Sequence, residues 1–454
     1  MPGLDGAARA LEAAGIAVAR EGLEAYGRDE TMDLFSAPGL VAKPRSTAEV
    51  ATVLATAKRE SVPVTARGGG TGKAGGAIPV LGGIVLSLER MDRILEIDAP
   101  NRFAVVQPGV VLQTLQEACE KRKLLYPIDM SSRGSCTIGG NIACNAGGER
   151  AVKYGVTRAY VAGIEAVLMD GSILRSGGKL AKNSAGYALH QILVGSEGTL
   201  AVVTEATLRL LPLPTHRKTL LASFSSLETA AAAALEAEAT GLNPSSVEFL
   251  ERAAAALAEE MLGERLPHAE AAALLLIEME GFSERRCEED LEAVAQVLLE
   301  NGAEDVELAP RERVWRVRHA VSEAIKQLPA YSAVDASVPR RSMPELVKRA
   351  HEAARRHRVE VVCFGHAGDG NIHVDFVRRD PADPHWDTGV AAAVRDVLRA
   401  TVELRGSISG EHGIGMLRRN DLGMQLEAST VEAMRALKAA WDPDGLLNPG
   451  KIWP

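Results

Sequence analysis

The chain has few cysteines, no long apolar run and no surplus of positive charge. Its five cysteines (Cys119, Cys136, Cys144, Cys287 and Cys363) are odd in number, and no two form a CxxC pair. That spacing excludes a disulfide scaffold and reads as free thiols in a reducing compartment. Nowhere do about 18 apolar residues follow one another, so no membrane-spanning segment is expected. The stretch from Met1 to Glu30 has no apolar signal region and too many acids for a transit peptide; it reads as an Ala-rich helix. These absences predict a cytoplasmic protein and leave open peripheral attachment at the inner face of a membrane. A formal net charge of −9 offers no basic face to neutralise phosphates, which argues against a nucleic-acid partner. No repeat period occurs either, and with 46% hydrophobic and 24% charged residues over 454 positions the chain reads as two or three folded domains.

What the chain does have is glycine: 43 residues, about 9.5% against an ordinary 7% or so, gathered into short stretches. Six of the nine residues Gly68 to Gly76 are glycine. Gly70 to Gly75 matches GxGxxG, and Gly72-Lys73 resembles a Walker loop. The Walker pattern fails because Arg67 stands where its first glycine belongs and Ala74 replaces the hydroxyl that would reach magnesium. A dinucleotide turn fails because Ile78-Pro79-Val80-Leu81-Gly82-Gly83 cannot open a helix. The expectation is a strand, a loop and a second strand, with bare backbone N–H groups converging on an anion such as a pyrophosphate.

Around this loop the pattern is α+β. Ser46-Thr47-Ala48-Glu49 predicts a capped helix with Val50, Val53, Leu54 and Ala57 on one face. Strands are expected at 62–66, 83–88, 94–97, 103–107, 163–169 and 199–211, with a helix at 111–123. Composition changes after Pro212-Leu213-Pro214, so a domain boundary is placed at about 213–218. Beyond it, helices at 228–239 and 284–300 and a strand at 274–279 predict an open antiparallel sheet covered on one face. The segment 441–451 reads as a loop that must pack against something to be ordered.

A second glycine-rich stretch runs from Pro127 through Gly134, Ser135, Ile138, Gly139, Gly140, Asn145, Gly147 and Gly148 to Tyr154 and Gly155, and a third motif is Gly195-Ser196-Glu197-Gly198-Thr199-Leu200. With the first loop and the terminal Asn448-Pro449-Gly450-Lys451, they resemble the FAD-linked 2-hydroxy-acid dehydrogenases of the vanillyl-alcohol oxidase and p-cresol methylhydroxylase (PCMH) superfamily. The glycolate oxidase catalytic subunit, D-lactate dehydrogenase and D-2-hydroxyglutarate dehydrogenase belong to that group. The resemblance runs from about Lys43 to Lys451.

It implies an N-terminal helical segment (1–40), a PCMH-type FAD-binding domain of two subdomains (41–215), a cap domain whose antiparallel sheet is covered by helices (216–410), and a C-terminal segment (411–454) returning to the FAD domain. It places Arg67, Gly68, Gly69, Gly70, Thr71 and Gly72 at the pyrophosphate. Gly134 to Gly148 would line the flavin and its ribityl chain, with Pro127, Tyr154, Gly155, Glu197, Gly198, Val203 and Asn448 also at the cofactor. No histidine lies between Arg67 and Gly76, where superfamily members with covalent flavin often attach it, so noncovalent FAD is expected. Two positions depart from the family: Ala188 stands where Asp is common, and Ala201 where Gly is frequent.

Asp369-Gly370 between two extended runs predicts a hairpin that brings His366 and His373 together. With Glu411 of Gly410-Glu411-His412-Gly413 they make a three-ligand set with an open position. In the family these three sit at metal-ligand positions and His412 at that of the general base. Zinc is the first expectation, with manganese or iron admitted by the same donors. The family also implies that Arg318 binds the substrate carboxylate and that Asp335 fits its pattern. Ala333 stands where the 2-hydroxyglutarate enzymes carry a Lys, which favours D-lactate or glycolate over D-2-hydroxyglutarate. Two other readings are a flavin-binding electron-transfer subunit without catalysis and a metallohydrolase, the latter leaving the glycine stretches unexplained. Electrons must leave to a separate acceptor: a quinone, a cytochrome, an electron-transfer flavoprotein or an iron–sulfur subunit. A homodimer is left open.

Overall fold

The structure is a computed structural model that describes residues 3–453. Two compact units make up the chain: Met1–Gly147, Val156–Leu213 and Glu411–Pro454 form one, Gly148–Gly155 and Pro214–Gly410 the other.

In the first unit, strands β1 (Ala17–Ala19), β2 (Leu40–Lys43), β3 (Val64–Arg67) and β4 (Ile84–Ser87) form a sheet in the order β1-β2-β4-β3. Both β2 and β3 run parallel to β4. Parallel neighbours usually need a helical crossover, yet none lies between Arg67 and Ile84. The expected strand, loop and strand is what forms.

Further along are β5 (Ile94–Asp98), β6 (Phe103–Val106), β7 (Leu124–Leu125), β8 (Val161–Val167), β9 (Ile173–Gly177), β10 (Val202–Arg209) and β11 (Leu211–Pro212). They give an antiparallel sheet in the order β5-β6-β10-β8-β9 and a β7–β11 pair. The helix Thr47–Arg59 starts as its capping residues require: Ser46 Oγ accepts the Glu49 N–H at 3.3 Å, and the Glu49 carboxylate accepts the Arg45 N–H at 2.8 Å. Its Val50, Val53, Leu54 and Ala57 are fully buried.

The N-terminal helix is shorter than its alanine content suggests. It spans Leu4–Ala13 and stops because Gly15 takes a left-handed φ of 75°. The Ile16 N–H then closes on the Leu11 carbonyl and the Gly15 N–H on that of Glu12, and Ile16 joins Leu11 in the core, a Schellman ending. The terminal loop is ordered by packing. Leu447 is fully buried among the residues of β2, β3 and β4, and Val64 exchanges backbone hydrogen bonds with Leu446 and Asn448.

The second unit is built on β12 (His216–Phe224), β13 (Ser246–Glu251), β14 (Ala273–Gly281), β15 (Asp305–Leu308), β16 (Ala330–Ser337), β17 (Glu360–His366) and β18 (Asn371–Arg378). They form one antiparallel sheet in the order β15-β12-β14-β13-β17-β18-β16. The expectation of one covered face is corrected here. Successive residues of a strand point to opposite faces, yet Leu274, Leu275, Leu276 and Ile277 are all fully buried. Helices Arg252–Leu262 and Arg311–Lys326 cover the face of Leu274, Leu276, Leu250 and Phe364, while helices Leu227–Ala239 and Glu284–Glu300 also pack against β14. An apolar run of four was itself the sign of a strand buried on both faces.

Candidate active site

In the first unit the two glycine stretches meet. A Cβ on Gly68 would lie 2.4 Å from Thr137 Oγ1, and one on Gly69 2.3 Å from the Ser135 carbonyl. The backbones therefore approach as only glycine permits. The N–H groups from Gly68 to Lys73, Thr71 included, donate to no protein acceptor among the described residues. Thr137 Oγ1 is buried without a hydrogen-bond partner, as is Asn448 Oδ1. Unpaired donors beside orphaned buried oxygens are what a polar ligand would satisfy, so this cradle fits a phosphate-bearing cofactor such as FAD.

The Arg67 guanidinium lies against Gly70 and takes the space a Cβ there would need. It donates to the carbonyls of Arg28 at 2.5 Å and Ala25 at 3.1 Å, with the Tyr26 ring 5.8 Å away. Burial lowers its pKa from the ordinary arginine value. Residues 25–31 thus strap the loop, with the Glu30 N–H on the Gly72 carbonyl and Thr31 Oγ1 accepting the Gly75 N–H. No sequence motif marked this strap.

The helix Ile138–Cys144 follows Gly134 and Ser135. Gly139 has no room for a side chain: its Cβ would meet Pro108 at 2.6 Å. Asn145 ends the helix with φ 52°, and its Oδ1 accepts the Arg158 N–H. The loop with Glu197 and Gly198 returns to the same helix, Gly195 and Glu197 donating to the carbonyls of Ile142 and Ala143. Asn448 Nδ2 donates to the carbonyls of Gly76 and Glu197. Pro127 is buried, and Val203 lies on β10 opposite Ala166.

The Glu197 carboxylate is engaged by the chain itself. It accepts the N–H groups of Ile414 at 2.8 Å and Gly415 at 2.7 Å. Burial raises its pKa from the ordinary glutamate value, and those two amides act against the rise. Just before that turn, Glu411 lies over the second glycine stretch, where a Cβ on Gly147 would be 3.3 Å from its Oε2. His412 is partly buried beside it.

In the second unit the strand register collects polar side chains on one face. Glu248 of β13 pairs with His366 of β17, His366 with Asn371 of β18, and His373 with Asp335 of β16. Paired residues and those two apart share a face, so all five do, and all are buried. The rings of His366 and His373 lie edge to face, 5.4 Å between centroids. His366 Nδ1 is 2.6 Å from Glu248 Oε1, whereas His373 Nδ1 is 3.7 Å from Asp335 Oδ1. Asp335 instead accepts from Asn371 Nδ2 at 2.8 Å and Ser409 Oγ at 3.2 Å.

Arg318 enters from the helix Arg311–Lys326 and is buried, not displayed on a surface. Its Nε and one Nη lie 2.8 and 2.6 Å from Glu248 Oε2, and its guanidinium stands over the Phe364 ring. Next to it, His319 Nε2 meets the Glu149 carboxylate at 2.9 Å. Burial acts to raise the Glu149 pKa, but His319, Arg318 and His366 outweigh it and hold the group down to about 2.

Gly148, Tyr154 and Gly155 fall in this unit. The Tyr154 hydroxyl donates to Glu280, which Arg150 and Arg217 also bind. Sequence reasoning missed Glu248, Glu149 and His319. The available signal was an acid inside the apolar strand Ser246–Glu251 and a histidine adjoining Arg318. For a metal, the donor chemistry fits: two buried imidazoles stand together, and His366 has its Nδ1 held by the Glu248 carboxylate, the usual outer partner of a ligating histidine.

The comparisons with known proteins agree with this architecture. Residues 38–177 match the FAD binding domain family, and residues 213–452 match the C-terminal domain of FAD linked oxidases. The chain is 40% identical over 437 residues to the glycolate oxidase subunit GlcD of Bacillus subtilis, covering 94% of this chain and 92% of that protein. It is also 40% identical to the D-lactate dehydrogenase of Archaeoglobus fulgidus, over 94% and 95% of the two chains. The D-2-hydroxyglutarate dehydrogenase of Stutzerimonas stutzeri is 35% identical over 95% of each. Among solved structures, p-cresol methylhydroxylase with substrate bound superposes with a TM-score of 0.81 at 16% identity, covering 99% of this chain and 96% of that one. Such a low identity carries the fold alone, but with both domain families matched in order along most of the chain, it belongs to the FAD-linked oxidases.

Proposed function

We propose that this chain oxidises a small D-2-hydroxy acid, D-lactate or glycolate, to the 2-oxo acid with noncovalent FAD and a divalent metal. The observation that carries the reading is the buried polar face of the second unit, where His366 and His373 stand together and Arg318 is held beside them through Glu248. The names of the relatives support the substrate class.

His366, His373 and Glu411 would hold the metal, zinc before manganese or iron. Bound flavin supplies an acceptor for a hydride, and a bound divalent ion makes a chelated hydroxyl more acidic. Arg318 grips the substrate carboxylate through the N–H groups it does not give to Glu248. His412 takes the α-hydroxyl proton on a ring nitrogen as the Cα hydride departs, which leaves the 2-oxo acid. The loop Gly68 to Gly72 and Thr137 hold the cofactor's phosphates. Ala333 lies on β16 two residues from Asp335, on the same face, and its register partner is Asp375. An acid there, without a lysine, suits a substrate with one carboxylate. Electrons then pass to a separate acceptor.

The test is anaerobic bleaching of the bound flavin by glycolate, D-lactate, L-lactate, D-malate and D-2-hydroxyglutarate, with metal analysis of the same sample. D-lactate or glycolate should bleach fastest. Preference for D-2-hydroxyglutarate would move the substrate to the longer diacid, and no bleaching by any of them would overturn the reading.

A further inference from the structure

We infer that Glu248 is a positioning residue that sets two groups at once: the tautomer of His366 and the edge that Arg318 presents. The inference rests on the proposed function for what those two groups hold. Its geometry is independent of it.

Glu248 is fully buried in β13. Its two oxygens are divided between partners: Oε1 takes His366 Nδ1 at 2.6 Å, and Oε2 takes Arg318 Nε at 2.8 Å, with an Arg318 Nη at 2.6 Å. An ionised carboxylate only accepts, so His366 must carry its proton on Nδ1, which puts a lone pair and not a proton on Nε2. On the other oxygen, two nitrogens of one guanidinium are fixed, which orients the rest of that fork. On the neighbouring strand, Asp335 Oδ1 lies 3.7 Å from His373 Nδ1. An acid in the middle of an apolar strand costs stability unless both oxygens are paired. Here the pairing falls on the two side chains assigned to metal and to substrate carboxylate.

The test compares Glu248→Gln and Glu248→Asp with the wild-type flavoprotein. Glutamine keeps the shape but has one acceptor oxygen. Its NH2 must face His366, which favours the Nε2–H tautomer, or face Arg318, donor against donor. Aspartate keeps both acceptors on a shorter stem. Zinc affinity of the metal-stripped, FAD-loaded protein, measured against a chromophoric chelator, should fall about 10- to 100-fold in Glu248→Gln and partly recover in Glu248→Asp. KM for D-lactate should rise in parallel. Nitrogen-15 NMR of the metal-free protein should report Nδ1–H on His366 in wild type and a shift toward Nε2–H in Glu248→Gln. An unchanged tautomer, or zinc affinity within twofold of wild type at equal FAD content, would overturn the inference. Failure of the wild-type protein to bind zinc stoichiometrically would instead overturn the metal reading, and the NMR arm separates the two.

Discussion

The Glu197 carboxylate receives the backbone N–H of Gly415 at 2.7 Å, across 218 residues of sequence. With the Ile414 N–H on its other oxygen, it fixes the turn that directly follows Glu411 and His412. Charge-assisted bonds of this kind contribute about 1.5–3 kcal/mol each. Glu197→Ala should therefore lower kcat about tenfold or more while FAD stays bound, and Glu197→Gln, with one acceptor left, should fall between. Steady-state kinetics on samples matched by flavin absorbance checks this. A kcat equal to wild type in the alanine variant would show that the turn holds itself.

The glycine cradle predicts a sharp contrast between neighbours. In Gly69→Ala the new methyl would stand 2.3 Å from the Ser135 carbonyl, a backbone atom that cannot step aside, whereas Gly76 has open space around its Cβ. Gly69→Ala should purify with most of its flavin lost, and Gly76→Ala should keep it. The ratio of visible to ultraviolet absorbance decides, and equal flavin content would remove the close approach from the account of binding.

For the base, His412→Ala should slow flavin reduction about 10²- to 10⁴-fold with FAD and metal retained. His366→Ala should lose metal and activity together. Stopped-flow reduction by D-lactate and metal analysis separate the two outcomes, and an undiminished rate in His412→Ala would assign the proton to another group.

Lys451 makes a pH prediction. It is buried, its Nζ donates to the Ile78 carbonyl at 2.6 Å, and burial pulls its pKa from the ordinary 10.5 down to about 8. Between those two values the unfolded chain holds a proton that the folded chain has released, so this group adds stability as pH rises and withdraws it as pH falls through 8. The slope is at most about 1.4 kcal/mol per pH unit. Urea unfolding at pH 7 and 9.5 should show wild type gaining on Lys451→Met toward the higher pH. A constant difference would place a neutral amine or a water-exposed ammonium there.

Local features were readable from the chain. Ser46 and Glu49 cap a helix through neighbours three and four residues away, and the loop Gly68 to Gly76 declares its lack of side chains directly. The Asp369-Gly370 turn announced the meeting of His366 and His373. Glu248 was unreadable for the opposite reason. Its place beside His366 depends on the register of β13 against β17, 118 residues apart, and nothing within either strand specifies that pairing. Arg318 was recognised by resemblance, but its burial under Glu248 came only with the sheet. The strap over the first glycine loop escaped notice because it is made mostly of backbone groups, which any residue supplies.

The seating of Leu447 among β2, β3 and β4 bears on the order in which the protein is made. A ribosome delivers residues 1–213 long before 411–454, and at about 5–20 residues per second the interval is roughly 10–40 s. Throughout that time β3 has no Leu446 or Asn448 to bond with, and the core beneath it has a vacancy the size of a leucine side chain. The unit delivered between them, whose strands all lie within residues 216–378, can fold first. Completion of this core by Leu447 and Asn448 is therefore an event that follows synthesis of both units.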